Sequence, residues 1–131
     1  MNIALFHFRV GETDGVSLEM DKWKSCLEAL GHRVYYVAGS EGKSQCYRID
    51  DLYYLNAQND KIVRNAYDQF IDYQSEESFV YEVDTIANRV EKSCISFLKS
   101  HDIDVVVPNN IFSLGWNLPV AIGLYNAIIA T

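Results

Sequence analysis

Apolar positions along this chain fall into two patterns, short near-continuous runs and longer stretches repeating every three or four residues. The first run, Ile3-Ala4-Leu5-Phe6-His7-Phe8, reads as a strand. After Arg9-Val10-Gly11-Glu12-Thr13-Asp14-Gly15, the residues Val16, Met20, Trp23, Leu27 and Leu30 recur at spacings of 4, 3, 4 and 3, which predicts one face of a helix. Thr13 or Asp14 can cap its start, and Gly31 can take the left-handed conformation that closes its end. Arg33-Val34-Tyr35-Tyr36-Val37-Ala38 follows as a second strand, so residues 1–38 form a βαβ unit. In open parallel sheets the loop leaving a strand's carboxyl end for a helix N-terminus is where ligands bind.

Residues 39–59 carry no clear period. Gly39 to Gln45 is a polar connector, and Tyr47 to Leu55 reads either as a short strand or as an irregular flap. From Asp60 the pattern is helical, with Ile62, Val63, Ala66, Tyr67, Phe70 and Ile71 on one broad face. A polar break at Gln74 to Ser78 precedes a longer helix from about Phe79 to Ser100, whose apolar positions are Val83, Ile86, Ala87, Val90, Cys94, Phe97 and Leu98. Ile103-Asp104-Val105-Val106-Val107-Pro108 has the β-branched character of a strand covered on both faces. Asn109 to Pro119 then forms a second strand-to-helix loop, and Val120 to Ile129 a last helix.

These elements predict a Rossmann-like, three-layer α/β sandwich of residues 1–131, with a small, mainly parallel sheet of three to five strands. We expect the second strand on one side of the first and the Val105 strand on the other. Right-handed crossovers then set residues 9–15 beside 109–113 at one sheet edge. The pattern marks three strands and the chain stops after a helix, so we expect part of a larger protein. An exposed apolar sheet edge or the last helix would favour self-association into a homo-oligomer.

Composition narrows the function classes. A chain of 131 residues, 49% hydrophobic and 22% charged, is ordinary for a globular domain. Its net charge of −7 and unclustered Lys and Arg argue against nucleic-acid or anionic-membrane binding. No basic leader and no run near the ~20 apolar residues of a membrane span is present. Cys26, Cys46 and Cys94 match no metal-ligand spacing, and Cys26 and Cys94 fall on apolar helical positions, so buried thiols and a cytoplasmic setting are expected. No cofactor or metal is called for.

The motif Gly39-Ser40-Glu41-Gly42-Lys43-Ser44 ends like a P-loop, but Val37 stands where that pattern needs glycine, and no clear helix follows. Gly11 and Gly15 do not form a dinucleotide fingerprint, and the first strand ends in His7-Phe8-Arg9 rather than in the clustered acids of a phosphorylated receiver. The candidate binding residues are Arg9, Gly11, Glu12, Thr13, Asp14 and Gly15 with Asn109 and Asn110. Arg9 either grips an anion or pairs with Glu12 or Asp14, and Asp14 either caps the helix or accepts hydrogen bonds from a ligand. Asn109 and Asn110 either form a turn or bond the hydroxyls of a ligand. His7 shares Arg9's side of the strand and reads as a satisfied core residue or a ligand contact, and His32 as a turn residue.

Three passages, Phe6 to Glu19, Leu30-Gly31-His32-Arg33-Val34, and Asn109 to Pro119, resemble the amino-terminal domain of family 4 glycosyltransferases. The resemblance implies one half of a GT-B fold, retaining sugar transfer from a nucleotide-sugar donor, and an acceptor-facing crevice at Arg9 to Gly15 and Asn109-Asn110. It also implies that the second domain, absent here, holds most of the donor, so this chain alone is inactive. The family's usual Gly-Gly in the first loop is Asp14-Gly15 here, which adds a carboxylate where a diphosphate would approach. The other reading of the same fold is a free-standing Rossmann- or flavodoxin-like binding or interaction module.

Overall fold

The structure, a computed structural model, describes residues 1–40 and 42–131. Among them, strands β1 (Asn2–Phe6), β2 (Arg33–Ala38), β3 (Tyr47–Arg48) and β4 (Val105–Pro108) form one parallel sheet in the order β3-β2-β1-β4. The helices are α1 (Gly15–Ala29), α2 (Ala57–Tyr67), α3 (Glu76–Ser100) and α4 (Leu118–Ala130). The result is a Rossmann-like α/β fold, with β2 and β4 flanking β1 as the sequence predicts. The unclear stretch resolves into β3 and a 3-10 turn, Asp50–Leu52. The P-loop comparison includes Glu41, which lies outside the described residues, and β3 rather than a helix follows Lys43-Ser44.

The alternation of side chains along the strands divides the core in two. Ala4, Phe6 and Val37 pack with α3 and α4, whereas Ile3, Leu5, Val34 and Tyr36 pack with Met20 of α1. All seven apolar positions expected to face inward on α3 are buried. Ser75 caps this helix in a capping box with Ser78, so it begins one turn before Phe79. At the α3–α4 contact a Cβ on Gly123 would lie 2.6 Å from the Ala87 carbonyl oxygen, so glycine permits the close approach.

Three expectations are corrected. On α1, Trp23 and Leu30 are exposed and so is the Cys26 thiol, while Ser17 and Met20 are the buried residues. The Tyr36 hydroxyl, on the sheet face beneath, donates to Asp21 at 2.6 Å, and Lys24 donates to the Val34 carbonyl at 3.0 Å. These polar contacts turn the Ser17–Asp21–Lys24 line toward β2 and leave Trp23 and Cys26 outside. Helix α2 ends at Tyr67, so Phe70 and Ile71 leave its face and are exposed. Asn65 is buried instead, and its side-chain oxygen accepts from the Ile71 and Asp72 amides, which draws the chain into a turn. Finally, β4 is a half-buried edge strand rather than one covered on both faces. Cys94 is buried as expected, and burial pushes its thiol up to about 12.

Gly123→Ala forces a methyl group against backbone and should destabilise by about 1–3 kcal/mol in urea unfolding. Gly15→Ala, where a Cβ meets nothing within 4 Å, should change stability by less than about 1 kcal/mol. Equal effects of the two substitutions would contradict the close α3–α4 contact.

Candidate functional site

The carboxyl ends of β1 and β4 bring the two predicted loops together. The Asn109 amide donates to the Phe6 carbonyl at 2.8 Å, and the Asn109 side chain adds a second bond to the same oxygen at 3.2 Å. His7 is buried, and its Nδ1 lies 2.9 Å from the Asn109 carbonyl oxygen, an acceptor, so Nδ1 carries the proton. Burial lowers the His7 pKa against the raising effect of this bond, so the ring is neutral at pH 7. His7 is thus a staple between the loops rather than an open ligand contact.

The first loop is braced from the other side by the segment after β2. The Gly39 amide donates to Phe8, Val10 to Ser40, and Lys43 to Gly11. Gly11 has φ +71° and Gly42 φ +54°, and a Cβ on Gly42 would sit 2.5 Å from the Val10 carbonyl oxygen.

Both readings of Arg9 and Asp14 that keep them within the protein are realised. Arg9 lies 3.3 Å from Glu12 and 3.4 Å from Asp14. Asp14 caps α1 by accepting from the Val16 and Ser17 amides at 3.1 Å each, and from the Ser17 hydroxyl at 2.7 Å. Burial alone would raise the Asp14 pKa, but the bonds from Ser17 and Val16 and the charge of Arg9 outweigh it and lower it. The anion-attracting start of α1 is therefore occupied by the protein's own carboxylate. With Glu12 and Asp14 against Arg9, the loop carries one surplus negative charge. Such a loop accepts hydrogen bonds from hydroxyls more readily than it binds a second anion. Thr13 and Gly15 are exposed at its rim.

On the opposite loop, Asn109 spends its side chain on backbone carbonyls, whereas Asn110 adopts φ +59°, the left-handed conformation that turns the chain away from β4. Sequence reasoning missed an aromatic group beside it. Tyr54 stacks on Trp116 with ring centroids 5.1 Å apart, Phe8 packs against both, and the Arg9 guanidinium lies 5.9 Å from the Tyr54 centroid. Asn59, buried in α2, fixes the pair by donating to the Tyr54 carbonyl at 2.9 Å and the Trp116 carbonyl at 2.5 Å. Trp116 stood within a recognised motif, but Tyr54 and Asn59 came from stretches with no period to mark them. A separate groove of about 740 Å³ runs between α1 and the β2–β3 edge, lined by Asp21, Lys24, Glu28, Tyr36, Cys46 and Tyr47. Asp21, Lys24, Glu28 and Tyr36 there bond to one another or to backbone.

A carboxylate whose folded pKa is depressed stabilises above its unfolded pKa and loses that contribution as pH falls through the folded value. Asp14→Asn keeps a capping oxygen but removes the charge facing Arg9. Its stability deficit against the unsubstituted chain should therefore be full near pH 7, begin to shrink as pH falls below about 4, and vanish below the depressed folded value, measured by urea unfolding. A deficit independent of pH would contradict the charge pairing.

Comparison with known proteins gives two matches of similar strength. The mannosylglucosylglycerate synthase of Petrotoga mobilis is 34% identical over 125 residues, covering 95% of this chain and 28% of that protein. The mannosylglucosylglycerate synthase of Thermotoga maritima is 37% identical over 117 residues, covering 88% of this chain and 26% of that protein. No family model matches, and no solved structure matches. The chain spans little more than a quarter of the length of the curated relatives it matches. Over nearly all of its own length, then, this chain is a homologue of one segment of mannosylglucosylglycerate synthases, which are glycosyltransferases.

Proposed function

We propose that residues 1–131 are one Rossmann-like domain, the acceptor-side half of a retaining family 4 glycosyltransferase of GT-B architecture. The observation that carries this reading is a similarity to two sugar-transferring synthases extending over 95% and 88% of the chain. The site adds support, since two strand-to-helix loops meet at the carboxyl edge of a parallel sheet, where such folds hold ligands.

In this reading Arg9, Gly11, Glu12, Thr13, Asp14, Gly15, Asn109 and Asn110 line the acceptor-facing wall of a cleft. Glu12 and Asp14 accept hydrogen bonds from acceptor hydroxyls, and Arg9 holds the two carboxylates in place. Asn109 fixes the spacing of the wall, and Asn110 offers its side chain at the rim. The nucleotide-sugar donor binds mainly to residues beyond this chain, so transfer needs a second domain. The acceptor is a sugar or sugar derivative, in keeping with the glucosylglycerate in the relatives' names. No helix is long and apolar enough to cross a membrane among the described residues, and the proposed setting is the cytoplasm.

The reading is tested by exchanging the matching segment of the Thermotoga maritima synthase for this chain and assaying sugar transfer. We expect transfer by the exchanged protein, and its loss by about tenfold or more on Arg9→Ala, which frees two carboxylates to repel each other. An exchanged protein that folds but transfers nothing contradicts the proposal. So does micromolar binding of a nucleotide sugar to residues 1–131 alone, which instead marks a self-sufficient binding module.

Self-association belongs to the same proposal. The β4 edge exposes Val105, and α4 exposes Ile122, Tyr125 and Ile129, surfaces suited to pairing with a second copy. Sedimentation of residues 1–131 should show a mass that rises with concentration, and a monomer at every concentration contradicts it.

A further inference from the structure

We infer that Trp116, backed by Tyr54, is a stacking platform for a pyranose ring at the acceptor end of the cleft. The inference rests on the transferase reading and names the part of the ligand that this wall grips. Trp116 has one face against Tyr54, nearly parallel at 29°, yet 44% of the residue is open to solvent. An exposed indole laid on a second ring at a sheet's carboxyl edge loses little freedom when a ligand covers it. Asn59 adds to this order, since its two hydrogen bonds tie the Tyr54 and Trp116 backbones to α2.

The surroundings select the ligand. A pyranose has a face of C–H groups, attracted to the electron-rich face of an indole, and a rim of hydroxyls. Arg9 lies over Tyr54, and Glu12 and Asp14 are bound to Arg9, so acceptors for those hydroxyls stand next to the aromatic group. A flat nucleobase would also stack, but its diphosphate would meet the surplus negative charge of the same loop.

The chain has two tryptophans, so its indole N–H signals provide an internal control, with Trp23→Phe assigning them. Methyl glucopyranoside titrated into residues 1–131 should move the Trp116 signal saturably and leave Trp23 still, whereas glycerol, which has hydroxyls but no ring, should move neither. No saturable shift, or an equal shift with glycerol, overturns the platform. In the exchanged synthase, Trp116→Leu should raise acceptor KM by about three- to tenfold without changing donor KM. An unchanged acceptor KM in an active enzyme overturns the platform alone. A Trp116 signal that saturates with the glucoside while the exchanged synthase transfers nothing upholds the platform and overturns the transferase reading.

Discussion

The parallel pairing of β1 with β4 is the constraint on which the site depends. It joins residues about a hundred positions apart and aligns Phe6 with Pro108, so both chains leave the sheet at the same level. Asn109 and His7 then lock the exits together, one through two bonds to the Phe6 carbonyl and the other through a buried ring on the Asn109 carbonyl. A neutral imidazole suits that place, because taking a charged ring out of water is costly, and this outweighs the pull of the Asp14 charge. The loops that follow inherit a fixed separation without any contact of their own having to set it.

Within that frame the first loop has its charges settled before a ligand arrives. Asp14 satisfies the amides at the start of α1, Arg9 answers Asp14 and Glu12, and backbone bonds with Gly39, Ser40 and Lys43 hold the turn. A glycine in place of Asp14 would leave the helix N-terminus open to phosphate. The carboxylate closes that option and leaves the loop with hydrogen-bond acceptors in surplus, while the aromatic group of Phe8, Tyr54 and Trp116 supplies an apolar wall beside it.

The parts of the fold that were legible in the sequence are those in which burial alone decides. All seven inward positions of α3 and the strand order around β1 follow from hydrophobic period and crossover handedness. Where a polar side chain decides, period misleads. Asp21 and Lys24 turn α1 so that Trp23 and Cys26 face outward, and Asn65 ends the α2 face before Phe70. The site divides in the same way. Its loops could be placed from strand ends, and Asp14 could be read as a cap, but Tyr54 and Asn59 come from stretches without a repeat and reach Trp116 only through the tertiary fold.

A crystal structure of the Thermotoga maritima synthase carrying this segment, with acceptor bound, tests directly whether the carboxyl edge of β1 and β4 faces the acceptor. The acceptor should lie between the two loops, with hydroxyls about 2.7–3.2 Å from Glu12, Asp14 or Asn110. An acceptor seated instead in the groove between α1 and the β2–β3 edge, or touching no residue of this segment, would contradict it.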